Sequence, residues 1–287
     1  MKRFLLLMVM MWSHSSLFAA PIYVEHDWLA KNLEQDNIVI VDMTSDNVQY
    51  LRYHIPGAVR LSYQDIVTKR KDKVSVRLPE PQFIKVLGSL GMTADQHIVI
   101  YDDMGGLEAG RLFWELERIG HDKVSVLRGG LVKWVLEGHR VDNVPVNPLP
   151  AIYKANKKGR LNEATLEDVK NNQSASLLDV RSLEEFVGHP RYPRSGHIPK
   201  AKWWPWEANV DFEHGFVPRS DEILQSELTK LAITDKDKPL IVYCRSGHRA
   251  SQSYLTLRSL GYSNVKLYDA SMAEYEKQPD LPLNKGK

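Results

Sequence analysis

Apolar residues in the second half of the chain fall into short runs separated by amphipathic stretches. The runs Leu177–Val180, Leu240–Tyr243 and Val265–Tyr268 are β-prone and uninterrupted, the pattern of strands buried on both faces. Between them, Thr165–Lys170, Ser220–Leu231 and Arg249–Leu260 read as amphipathic helices, and Gly261 stops the last one. Strands alternating with helices predict parallel strands in an α/β layer fold.

The pattern is written twice. Asp42 and the His-Ile-Pro of 54–56 match Asp179 and the His-Ile-Pro of 197–199. Tyr101-Asp102 matches Tyr243-Cys244, Gly120 matches Gly261, and Trp134 matches Tyr275. The landmarks keep their order and spacing apart from one insertion in the second copy, around Pro190 to Arg194. Two homologous domains are therefore expected, 21–142 and 161–287, each a mainly parallel sheet flanked by helices. A Pro-, Asn- and Lys-rich linker over 143–160 would join them. A length of 287 residues accommodates two such units.

Composition changes this picture little. With 43% hydrophobic and 26% charged residues the chain is an ordinary globular protein. The formal net charge is +2, and Lys2 and Arg3 supply that much, so a nucleic-acid partner is not expected. The N-terminus does add information. Lys2 and Arg3 precede an apolar run from Phe4 to Trp12, and small residues follow at Ala19 and Ala20. This is the layout of a cleavable signal peptide over 1–20, cut after Ala19 and shorter than the ~20 apolar residues of a membrane span. The expected location is periplasmic or secreted, with no stable membrane insertion after cleavage.

Export makes the cysteine count informative, because Cys244 is alone. A lone thiol in an oxidising compartment is an intermolecular partner, an inert buried residue or a reactive group. Its neighbours favour the third. Cys244 ends a strand and opens the loop Cys244-Arg245-Ser246-Gly247-His248-Arg249, which leads into a helix. In parallel α/β sheets ligands sit at such carboxyl ends of strands. The helix start offers unpaired N–H groups and partial positive charge, and Gly247 lets the loop bend into an anion nest. Thiols at helix N-termini with basic neighbours titrate at roughly 3.5–7.5 rather than about 8.5. Cys244 is thus expected to be an ionised nucleophile, electropositive in its surroundings and open to small anions. No metal-ligand spacing appears, and no cofactor is expected.

The duplicated unit, the Gly-His-Ile-Pro of 196–199 with its counterpart at 53–58, the Leu-Leu-Asp-Val-Arg of 177–181 and the six-residue cysteine loop together resemble the rhodanese family of sulfurtransferases, in its tandem form. The resemblance covers nearly all of the chain after residue 20. It implies a noncatalytic first domain, with Asp102 in place of the cysteine, and a catalytic second one. It also implies transfer of a sulfane sulfur through a Cys244 persulfide, from an anionic donor such as thiosulfate to cyanide, a thiol or a protein acceptor. Arg245, Ser246, Gly247, His248 and Arg249 would hold the donor. The loop departs from the Arg-Lys-Gly-Val-Thr and Gly-Ser-Gly-Val-Thr patterns of long family members. Glu185 stands where such members often carry an anion-binding arginine, which makes Arg194 or Arg191 of the insertion a replacement candidate; Arg181 would pair with Glu184 or Glu185 or bind substrate. Competing readings are a 3-mercaptopyruvate sulfurtransferase, a cysteine phosphatase or arsenate reductase of related fold, and a sulfur-relay protein without turnover. Against the phosphatase, Ala250 occupies the sixth position after Cys244, where those enzymes place arginine.

Overall fold

The computed structural model describes residues 20–155 and 158–286, so the predicted signal peptide lies outside the described residues apart from Ala20. Two five-stranded sheets form the framework. The first contains β1 (Tyr23–Val24), β2 (Ile38–Asp42), β3 (Val59–Arg60), β4 (His97–Tyr101) and β5 (Val124–Leu127) in the order β1-β5-β4-β2-β3. The second contains β6 (Glu163–Ala164), β7 (Ser176–Asp179), β8 (Lys202–Trp203), β9 (Leu240–Tyr243) and β10 (Val265–Tyr268) in the order β6-β10-β9-β7-β8. Every pairing in both sheets is parallel. The central strands β4 and β9 are apolar on both faces because helices cover both sides, as their unbroken hydrophobic runs require.

The helices that matter for the site are α1 (His26–Lys31), α2 (Ala109–Arg118), α3 (Gly130–Leu136), α4 (His248–Ser259) and α5 (Ser271–Tyr275). The predicted helix at 220–231 forms as Asp221–Lys230, with Ser220 accepting from the Ile223 N–H as its cap. The predicted helix at 165–170 likewise begins after a Thr165–Asp168 capping box. Helices α2 and α4 each follow a central strand and pack on each other across the domain boundary. They approach so closely at Gly110 that a Cβ there would lie 2.8 Å from the Ser251 carbonyl oxygen.

The duplication extends to single hydrogen bonds. His54 and His197 each hold a carbonyl with Nδ1, of Tyr50 at 2.7 Å and of Phe186 at 2.8 Å. The N–H of Ile55 and of Ile198 each donate to a tyrosine hydroxyl, Tyr101 at 3.1 Å and Tyr243 at 3.2 Å. The repeated His-Ile-Pro is thus a structural fastening between a turn and the central strand. Between the domains, the described part of 143–160 forms neither helix nor strand and lies along the first domain, with Ala151 N–H on the Gly88 carbonyl and the Tyr153 hydroxyl 2.7 Å from His121 Nδ1.

Candidate active site

The end of β9 places Cys244 against the start of α5. The Cys244 N–H donates to Ser271 Oγ at 3.0 Å, and Ser271 Oγ donates to the Tyr268 carbonyl at 2.6 Å. Met272 N–H reaches the Cys244 carbonyl and Ala273 N–H the Arg245 carbonyl. In the first domain Leu131 N–H makes the matching bond to the Asp102 carbonyl. There the left-handed residue at the equivalent step is Gly130; here it is Ser271, at φ 49°. A serine in this conformation is strained, and its hydroxyl is what fastens the cysteine backbone.

From Cys244 the chain turns through Gly247 (φ 79°), which enters α4. A side chain there would collide with Asp269 and approach Arg111, so the position requires glycine for space as well as for backbone angle. Its counterpart Gly105 is left-handed as well, at φ 69°. The first-domain loop shows what this backbone can hold. The Asp102 carboxylate accepts four N–H groups of its own loop: Met104 at 3.1 Å, Gly106 at 2.9 Å, Glu108 at 2.8 Å and Ala109 at 3.0 Å. Burial lifts its pKa to about 6 against the opposing pull of those donors. The acidic loop of the first domain is therefore an anion nest closed by its own aspartate. In the Cys244 loop, the N–H groups of Ser246, His248, Arg249 and Ala250 have no acceptor among the described residues.

Both arginines of the loop are paired with carboxylates, where electropositive surroundings were expected. Arg249 makes a two-pronged pair with Glu185, at 2.6 and 2.9 Å. Burial pushes Glu185 up, but the Arg249 hydrogen bond and charge outweigh it and hold the carboxyl below its usual range. Arg245 pairs with Glu276. His248 Nε2 lies 3.1 Å from Glu108 Oε2 without hydrogen-bond alignment, and its ring rests on Tyr63 with centroids 4.3 Å apart. The expected openness is also corrected: Cys244 is 1% exposed, in the core with Val242 and Tyr254. The strand that delivers the sulfur is central and covered by α4, so only the rim residues Arg245, Ser246, His248 and Arg249 reach solvent.

The remaining arginines stand elsewhere. Arg194 directs Nε, Nη1 and Nη2 to the carbonyls of Glu276, Leu281 and Gln278, pinning the C-terminal segment instead of pointing to the loop. Arg181 is buried on Asp179 and the Gly196 carbonyl, so its partner is neither Glu184 nor Glu185. Arg191 is exposed on the inserted turn.

Local sequence reading missed a set of site neighbours from the first domain. Arg111, fully buried on α2, pairs with Asp269 and lies over the Trp114 ring at 4.8 Å. Asp269 also accepts the Arg77 N–H at 2.6 Å. Tyr63, Glu108 and Arg111 thus reach the second domain's loop from outside it. The signal available in the sequence was the buried-helix pattern of α2, which carries an arginine and a glutamate (Glu115) on faces that a helix covered all round buries.

Two parallel α/β units of identical strand order, one ending its central strand in a nested aspartate and the other in a cysteine, define a duplicated α/β protein with a single cysteine at the end of one central strand. The model of the Rhodanese-like domain matches residues 25–137 and 163–278, and the chain belongs to the rhodanese family as a tandem member. It is 34% identical over 291 residues to the sulfur carrier protein TtuD of Thermus thermophilus, covering 94% of this chain and 99% of that one. It is 30% identical over 275 residues to the thiosulfate sulfurtransferase of Azotobacter vinelandii, covering 92% and 97%. Among solved structures, EanB has the same fold with a TM-score of 0.80 at 22% identity, over 93% of this chain and 69% of that one. The protein is a rhodanese-type sulfurtransferase, and the family chemistry requires a sulfur donor and an acceptor.

Proposed function

We propose that the protein is a thiosulfate sulfurtransferase working through a Cys244 persulfide. The observation that carries this reading is the contrast between the two loops: one backbone nest is closed by the Asp102 carboxylate, and in the loop that Cys244 opens the N–H groups of Ser246, His248, Arg249 and Ala250 have no acceptor among the described residues. The Cys244 thiolate attacks the outer sulfur of thiosulfate. The sulfur–sulfur bond of the donor breaks, and its electron pair leaves with sulfite. The enzyme keeps the sulfane sulfur as an anionic persulfide, held by the N–H groups of Ser246 and the first turn of α4. Cyanide or a thiolate then attacks that outer sulfur and regenerates the Cys244 thiolate. No charge is created or lost in either half-reaction.

The dianionic donor enters by exchanging with the carboxylates on the rim. The Arg245–Glu276 pair has its arginine half exposed, and surface pairs of that kind contribute at most about 1 kcal/mol, so Arg245 releases Glu276 readily. Arg249, more enclosed, takes the donor's sulfonate after Glu185 turns away. A sulfur-relay reading is the alternative, with a protein thiol in place of cyanide as the acceptor. The identity to a sulfur carrier over nearly the whole chain supports it. The periplasmic or secreted location stays part of the proposal, resting on the N-terminal sequence.

Intact-mass measurement after thiosulfate treatment tests the reading. Wild type should gain one sulfur atom and Cys244→Ser none; a gain on both, or on neither, overturns it. Subsequent cyanide should strip the sulfur and yield thiocyanate with ping-pong kinetics. A stable adduct that cyanide leaves in place, but a protein thiol removes, would replace turnover with relay.

A further inference from the structure

A second constellation lies in the first domain, on elements the sulfur chemistry does not use. His26, the first residue of α1, is 2% exposed and brings Nδ1 to 2.7 Å from Glu137 Oε2. Glu137 follows α3 directly. Gly138, left-handed at φ 75°, then turns the chain so that His139 comes back over the helix it has just left. There His139 stacks on Trp134 with centroids 4.5 Å apart, and its Nε2 lies 3.5 Å from the same Glu137 oxygen. One donor atom from each of the three residues lies within 4.8 Å of the other two.

We propose that His26, Glu137 and His139 form a binding site for a borderline divalent transition metal, zinc foremost, with Asp27 as an exchangeable fourth donor. In a tetrahedral site with bonds of about 2.0–2.1 Å, neighbouring donors sit roughly 3.3 Å apart. The Glu137 oxygen stands 2.7 and 3.5 Å from the two imidazole nitrogens, either side of that spacing, and all three donors lie within 4.8 Å of one another, so side-chain rotations can seat an ion. Lys133 holds the other carboxylate oxygen of Glu137 at 2.8 Å, which leaves Oε2 as a single, oriented donor. Trp134 walls both imidazoles, edge-on to His26 at 6.0 Å and flat on His139. Asp27 Oδ1 is 3.9 Å from His139 Nε2 on a largely exposed side chain, free to complete the shell or to yield to water.

Packing alone explains this arrangement poorly. The ring of His26 is enclosed for a single hydrogen bond, through the Nδ1 that faces Glu137, while its Nε2, on the other edge of the ring, is buried without a partner. Two imidazoles with one or two carboxylates suit zinc, copper(II) or nickel(II) rather than calcium or magnesium. The sequence hides the site because His26 and Glu137 lie 111 positions apart. A bound ion would staple the first helix of the domain to its last and leave Cys244 chemistry untouched.

The test uses zinc(II) alone on the untagged chain carrying Cys244→Ser, so that the thiol cannot compete. Equilibrium dialysis should give one tight zinc per chain, and zinc should raise the melting temperature. His139→Phe keeps a ring against Trp134 and removes the donor nitrogen; Glu137→Gln removes the charge. Each should weaken binding by about tenfold or more and abolish the zinc-dependent shift in melting. Copper(II) in place of zinc should show hyperfine splitting from two imidazole nitrogens, and from one in His139→Phe. Absence of stoichiometric zinc overturns the site, as does binding to His139→Phe with the parent's affinity.

Discussion

Around Cys244 the decisive residues are the carboxylates. Glu185 and Glu276 convert the two arginines of the loop from free cations into ion pairs. In the proposed reaction Glu185 is then an internal competitor of the donor. Glu185→Gln should lower the KM for thiosulfate by about fivefold, equivalent to roughly 1 kcal/mol of pairing released, with a smaller change in Glu276→Gln because Arg245 is already exposed. Steady-state kinetics in low salt checks this; an unchanged or higher KM in Glu185→Gln would assign Arg249 to the architecture of the loop and not to the donor. The place of Cys244 at a strand end and the left-handed turn at Gly247 were legible from six consecutive residues, since a strand end, a glycine and a helix start dictate the local backbone. The partners were not: Glu185 lies 64 positions from Arg249 and Glu276 lies 31 from Arg245, and only the folded chain joins them. Arg194, by contrast, had the right charge in a plausible insertion, but three carbonyls at a segment end made a stronger claim on its donors.

At the level of elements, the strand–loop–helix unit of the first domain holds a carboxylate, and in the proposed reaction its second copy holds the Cys244 thiolate or persulfide. Asp102 should therefore stabilise its domain through its acceptor oxygens. Asp102→Ala leaves four inward N–H groups unpaired, each a loss of about 1–3 kcal/mol when buried, so urea unfolding should show a loss of at least about 3 kcal/mol. Asp102→Asn keeps an acceptor and should be milder. The pH dependence has a definite sign. The folded pKa, about 6, lies above the usual carboxylate value, so the folded state holds its proton more tightly than the unfolded chain. The stability from this group is complete below pH 3.8 and is lost as pH rises through 6. Asp102→Asn should flatten that part of the stability profile; an unaltered profile would mean that the four donors cancel the effect of burial and leave the carboxyl near its ordinary value. The elements themselves were readable where the apolar runs were long: β9 and β10 fall at their predicted bounds, and β7 differs by one residue. The two-residue edge strands β6 and β8 were not, because a strand of that length has no period to detect.

For the whole molecule, the first domain acts as part of the second domain's site. Its Arg111 packs against Gly247 and pairs with Asp269, Tyr63 supports the His248 ring, and Glu108 faces the His248 nitrogen. A duplicated chain could have kept an inert partner for bulk alone, and the sequence expectation of a noncatalytic, stabilising unit does not separate the two cases. Arg111→Met does. The side chain keeps its length over Trp114 but leaves Asp269 as a buried carboxylate whose remaining hydrogen bond among the described residues comes from the Arg77 N–H. Removing one member of a buried ion pair costs about 3–5 kcal/mol, and here the loss falls on the contact that shapes the Cys244 loop. Thiosulfate-dependent sulfur loading of Cys244 should slow about tenfold or more, in step with weaker coupling between the domains in unfolding. Asp269→Asn in the same chain removes the stranded charge, so the double variant should recover part of the stability lost by Arg111→Met. It should not recover the loading rate, because Gly247 still lacks the pair it packs against. Full loading in Arg111→Met at reduced stability would reduce the first domain to a scaffold.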